Sequence, residues 1–115
     1  MEKQEKLNLI VDVLLVKTLS NLCNWKKKPD GNFILTLSVG KISLYTLEND
    51  TIVMDVYGNQ NPDLVTAFLC VEVSDTNSSL VRLFKAVNKF YENYVNEHIE
   101  KILSELEKMS NDKPF

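Results

Sequence analysis

The one histidine of the 115-residue chain, His98, stands in "VNEHIEKI" with Glu97 and Glu100 beside it. A histidine among carboxylates is the first place to look for a metal or an acid–base centre. The spacing supports neither, because there is no HExxH and no second His or Cys ligand to complete a site. His98 is predicted to be an exposed helical residue. Asp55, between Met54 and Val56 in "TIVMDVYG", is the next candidate. On a strand it is either a buried acid of raised pKa or a residue facing solvent between inward neighbours, and the second reading is the simpler. Gly31, Gly40 and Gly58 stand singly in turns, so no glycine-rich loop cradles a phosphate. No Ser or Cys has a base beside it in sequence to make it a nucleophile. Cys23 and Cys70 imply no disulfide framework and read as reduced, core-type thiols. No catalytic, metal or cofactor-binding residue is expected, and the chain is not read as an enzyme.

"WKKKPDGN", residues 25–32, could serve as a basic-aromatic patch for a phosphate backbone. The plainer reading is a solvated strand end whose lysines discourage edge pairing. Charge distribution favours the plainer reading. Residues 1–30 carry six lysines against four acids, residues 31–77 carry Lys41 against six acids, and residues 78–115 balance six against six. With a net charge of −3 and an acidic centre, the surface repels phosphates and favours basic or neutral partners, so nucleic acid is not an expected ligand. The first 23 residues loosely imitate a secretory signal ending at Cys23. Glu2 and Glu5 neutralise its start, Asp12 interrupts its apolar run, and Asn21 and Leu22 stand where small residues would be needed for cleavage. The apolar stretch from Val13 to Val16 is far too short for a membrane span. A cytoplasmic protein with no membrane partner is expected.

These residues are positioned by elements that the patterning makes visible. Leu7, Ile10, Val11, Leu14 and Thr18 fall on one helical face after the polar "EKQEK", while Leu9, Val13, Val16 and Leu19 crowd the other side. The helix is predicted to stop near Ser20, with Asn21 as the left-handed residue beyond its end. "LCNWKKK" then reads as a strand with Cys23 and Trp25 on one face. After the "PDGN" turn, Phe33, Leu35, Leu37 and Val39 alternate along a strand. Gly40-Lys41 is read as a two-residue type II′ loop that pairs Val39 with Ile42 and Leu37 with Leu44. A further strand, "TIVMDVYG", puts Ile52, Met54 and Val56 on one face and Val53, Asp55 and Tyr57 on the other. "LVTAFLCVEV" is a fifth strand or a short helix, with the strand favoured because Val71, Glu72 and Val73 alternate. The expected class is α+β: an N-terminal helix, a four- or five-stranded antiparallel meander and a long C-terminal helix, in a single domain over 1–109 with a flexible tail at 110–115.

In this arrangement Lys17, Thr18, Asn21 and Trp25 fit a KTxxGxxxW pattern, with Asn21 where the glycine would stand. Together with the meander containing "TIVMDVYG" and the later "SLVRLFKAV", residues 10–90 resemble a group of small, uncharacterised bacterial and phage or mobile-element α+β proteins. The resemblance implies an α-β-meander-α domain with no established activity, and it carries no functional residues over to this chain.

Two features point to partner binding. "LIVDVLLV" is apolar almost all round, so the first helix needs cover on two sides. The last helix keeps its apolar period from Leu80 to Met109. Thirty-odd residues span about 45 Å, against roughly 35 Å for the width of a domain of this size, so the helix should overhang its own sheet. Ile99, Ile102, Leu103, Leu106 and Met109 would then form an open apolar stripe, the candidate interface. The expected function is a non-enzymatic protein–protein interaction module, a small accessory or regulatory protein that pairs with itself as a homodimer or with one protein partner. The alternative is an acidic inhibitor or immunity-like protein whose meander face caps a partner's basic active site.

Overall fold

The computed structural model describes residues 2–48 and 50–109. Helix α1 spans Lys3–Leu19, and five strands follow: β1 Lys26–Lys27, β2 Phe33–Leu37, β3 Gly40–Leu47, β4 Thr51–Gly58 and β5 Val65–Glu72. Helix α2 spans Ser79–Lys108. The strands form one antiparallel sheet in sequential order. The fold is thus α+β, with a helix, a five-stranded meander and a long helix. The predicted tail, residues 110–115, lies outside the described residues.

The end of α1 is set by Asn21, whose φ of 59° is the left-handed conformation expected from its type. Leu22 N–H donates to the Lys17 carbonyl at 2.9 Å and Asn21 N–H to the Thr18 carbonyl at 3.1 Å, the paired bonds of a Schellman motif. The chain then turns toward the sheet, and the Trp25 indole Nε1–H donates to Thr18 Oγ1 at 3.0 Å within the core. Cys23 and Trp25 point inward as expected. The strand itself is shorter than "LCNWKKK" suggested, because residues 22–25 are spent reversing direction and only Lys26 and Lys27 pair with β2.

The β2–β3 hairpin closes two residues earlier than its glycine implied. Leu37 pairs with Gly40, Leu35 with Ile42 and Phe33 with Leu44, so the two-residue loop is Ser38-Val39, not Gly40-Lys41. Neither loop residue has positive φ, and Gly40 is a strand residue opposite Gly58. Gly58 likewise ends a strand instead of sitting in a turn, whereas Gly31, at φ 92°, holds the turn foreseen for it. A Cβ on Gly40 would collide with the Tyr57 carbonyl, so glycine is required there by close strand approach and not by a left-handed turn. Because the register differs by an even step, Phe33, Leu35, Ile42 and Leu44 keep the shared inward face.

Both helices lie on that face. Leu7, Val11 and Leu14 of α1 and Leu80, Val81, Leu83 and Val87 of α2 join Phe33, Ile42, Leu44, Ile52 and Met54 in one core. Asn8, Val11 and Asp12 adjoin Ser79, Leu80 and, on β5, Leu69, while Trp25 and Lys27 adjoin Tyr91 and Tyr94. The helices therefore run side by side in the same direction, from the β5 edge of the sheet to the β1 edge. Ser78 caps α2, its Oγ accepting from Leu80 N–H at 3.2 Å. Segment 65–72 is a strand, as favoured, with Ala67, Leu69 and Val71 turned toward the helices.

Candidate functional site

Past Val95 the long helix buries no residue among those described. Tyr91 stacks edge-on against Phe33 with ring centroids 5.9 Å apart, at the level of the edge strand β1. From residue 96 to residue 109 every residue is exposed. The protein measures 66 × 34 × 28 Å with a radius of gyration of 17.8 Å, whereas a compact chain of this length would have about 13–14 Å. The overhang accounts for that difference. On it Ile99, Ile102, Leu103, Leu106 and Met109 are between 45% and 55% exposed and recur at helical spacing along one face. All five candidate interface residues thus share one uncovered stripe.

The charges around this stripe are not evenly mixed. At 3.6 residues per turn, Glu100 and Glu107 flank the stripe on one side and Glu105 flanks it on the other, each about 100° from its centre. Lys101 and Lys108 fall on the back of the helix, away from the stripe. The stripe is apolar with acidic shoulders.

The outward face of the sheet holds the second group of polar residues. Asp55 points away from the helices, as predicted, but it is only 7% exposed instead of facing solvent. The physical reason is its central place: β4 is flanked by β3 and β5, with Ser43 and Phe68 directly opposite Asp55. Tyr45 donates its hydroxyl to Asp55 Oδ2 at 2.8 Å, and Tyr57 lies on the same face, two residues along β4 from that carboxylate. Burial, followed by the bond to Asp55 and its charge, pushes the Tyr45 phenol up to about 12. Burial and the same charge raise Tyr57. Two phenols that keep their protons beside one carboxylate form a structural clasp. Lys41 Nζ caps the clasp, 4.6 Å from the Tyr57 ring centroid.

The remaining sequence candidates lie apart. His98 is exposed on the overhang and stacks on Tyr94 at 6.4 Å. Among the described residues no three His, Cys, Asp or Glu side chains stand close enough to hold a metal ion. Cys23 is buried in the core, whereas Cys70 is exposed on the outward face, a correction to the reading of both as core thiols. β5 is an edge strand, and its residue 70 has no layer above it. Of the basic-aromatic stretch, Trp25 is core and Lys27 Nζ sits 5.4 Å from the Phe33 centroid and 5.5 Å from that of Tyr91. No helix among the described residues is long and apolar enough to cross a membrane. Compared with known proteins, the chain matches no protein-family model, no curated sequence and no solved structure.

One surface went unread in the sequence. Leu9, Val13, Leu37 and Val39, all exposed, line a groove between α1 and the loop end of the β2–β3 hairpin. The apolar second side of α1 was its visible signal. Placing the hairpin loop at Gly40-Lys41 hid the rest, because that register keeps Val39 inside a paired strand instead of at the loop.

Proposed function

We propose that the protein is a non-enzymatic protein–protein interaction module and that the distal half of α2 is its binding element. One observation carries this reading: fourteen consecutive helical or helix-ending residues, 96–109, are all exposed and bear five large apolar side chains. Soluble monomers seldom leave such a stripe open, and an uninterrupted helix cannot fold back to cover itself. Self-association is the simplest use of it, in an accessory or regulatory role.

Two observations weigh against other uses. Lys27 is engaged with the rings of Phe33 and Tyr91, and Trp25 is buried in the core, so neither is free to meet a nucleic-acid strand. The inhibitor reading relies on acidic groups of the meander, yet Asp55, at its centre, is folded under Tyr45 and Tyr57. The test is sedimentation velocity at micromolar concentration. A dimer is expected, and Ile102→Glu with Leu106→Glu should reduce it to a monomer with an unchanged circular dichroism spectrum. A dimer that survives this double substitution would remove the distal half of α2 from the function.

A further inference from the structure

The groove beside α1 has a volume of about 710 Å³ and is walled by apolar side chains from both the helix and the sheet. Leu9 and Val13 are 50% and 47% exposed along its helical wall, and Val39, 75% exposed, stands at its mouth. Among the described residues its charged lining side chains are Lys6 and Lys17, since Lys41 turns its ammonium to the Tyr57 ring on the other face of the sheet. Lys6 and Lys17 mark its two ends along α1, eleven residues and therefore about 16 Å apart. An elongated apolar slot with a lysine at either end calls for an apolar rod with anionic shoulders.

The chain itself carries such a rod. From Ile99 to Met109 the open stripe of α2 is ten residues long, about 15 Å, and Glu100, Glu105 and Glu107 are its shoulders. We propose that the groove of one copy receives the distal half of α2 from a second copy, the acid-shouldered stripe entering between Lys6 and Lys17. This deepens the proposed function and rests on it, since it names the partner and the receiving surface. The occupant comes from a second copy because α2 is continuous from Ser79 to Lys108 and leaves its own domain past β1, so it cannot reach its own groove.

Electrostatics distinguish this arrangement from pairing of one stripe with its twin. Two identical stripes packed face to face, parallel or antiparallel, bring glutamate shoulders toward glutamate shoulders, which disfavours the pair. The groove offers the same shoulders lysines. Reciprocal seating also covers both exposed apolar surfaces of each copy at once and closes on a two-fold axis, giving a finite dimer.

Complementation tests the assignment on the full-length chain. The groove variant carries Lys6→Glu, Val13→Glu and Lys17→Glu, all at exposed positions, and the helix variant carries Ile102→Glu and Leu106→Glu. Each alone should sediment as a monomer with wild-type circular dichroism. Mixed in equal amounts they should form a one-to-one heterodimer, because the groove variant retains a sound helix and the helix variant a sound groove. If the groove triple variant fails to fold, Lys6→Glu with Lys17→Glu takes its place. Glu100→Lys with Glu107→Lys in the second chain should then restore at least tenfold of the lost affinity. A groove variant that dimerises as tightly as the wild type overturns the groove while leaving the distal helix as the binding element. A mixture that stays monomeric, or a wild type that is itself monomeric, overturns the second copy as occupant. A helix variant that still dimerises overturns the underlying reading as well.

Discussion

Replacing Gly40 by alanine adds a single methyl group, yet it should be among the most damaging small changes available in this sheet. The added Cβ would run into the carbonyl of Tyr57, and its next neighbours, the Tyr57 carbonyl carbon and Gly58 Cα, are also backbone atoms. No side-chain rotation relieves such a clash. The strands would have to separate where Gly40 faces Gly58, next to a loop fastened by the 2.6 Å bond from Asn59 Nδ2–H to the Ser38 carbonyl. Overpacking by one methylene costs about 1–3 kcal/mol where side chains can adjust, so a backbone collision belongs at the upper end, about 3 kcal/mol. With a urea m-value of about 1.5–2 kcal/mol per molar, the midpoint should fall by roughly 1.5–2 M. Equilibrium urea unfolding followed by Trp25 fluorescence measures this directly.

The same experiment separates two explanations for the glycine. Were Gly40 in a left-handed turn, asparagine would be tolerated far better than alanine, since it enters that region readily. Under the clash, Gly40→Asn should be at least as destabilising as Gly40→Ala. A Gly40→Ala midpoint within about 0.3 M of wild type, taken with the same m-value, would refute the close approach of β3 and β4.

Two further predictions concern the helix end and the outward face. Asn21→Gly should be neutral or slightly stabilising, whereas Asn21→Val should cost about 1–2 kcal/mol in urea unfolding, because a β-branched residue resists φ 59°. For Tyr45, held at about 12 against an ordinary 10.0, the folded state keeps the phenol proton more tightly than the unfolded chain does. Its contribution to stability is fully present below pH 10 and is lost as the pH rises through 12. Spectrophotometric titration of the phenolates should show a late-titrating tyrosine that Tyr45→Phe removes, and a profile unchanged by that substitution would count against the Asp55 clasp.

Much of the architecture was legible because its signals are local. Asn21 alone fixed where α1 ends, and the alternation of Ile52, Met54 and Val56 identified the inward face of β4. The length of the apolar period after Ser79 foretold an overhang, which the exposure of residues 96–109 now displays. The failures arose where distant backbone decided the outcome. Gly40 looked like turn chemistry, but its constraint is the Tyr57 carbonyl, seventeen positions away and invisible in a local window. Asp55 looked solvated because strand alternation says which way a residue points, not what folds over it; Tyr45, ten positions earlier, decides that. The groove combines both errors, since its walls come from α1 and from a hairpin whose loop was misplaced.

The overhang poses an energetic question that bears on how it binds. Fourteen residues without tertiary contacts form only a marginal helix in water, because nucleation is unfavourable and intrinsic propensity contributes little per residue. Here the nucleus is supplied by residues 79–95, anchored through Leu80, Val81, Leu83 and Val87, so the distal half needs only propagation. Its sequence favours propagation. Glu97 precedes Lys101 by four residues, the better orientation for such a pair, and Lys108 stands in the last turn, where a cation complements the helix dipole. Glycine and proline are absent from 96–109. The stripe therefore meets its partner already ordered near Ile99 and frays toward Met109, and ordering on binding is confined to the last turns. Substitutions that lower helix propensity near the C-terminal end, such as Ser104→Gly, should weaken association without touching the apolar contacts, because they raise the ordering cost of the partnered state and leave the core of the domain unchanged.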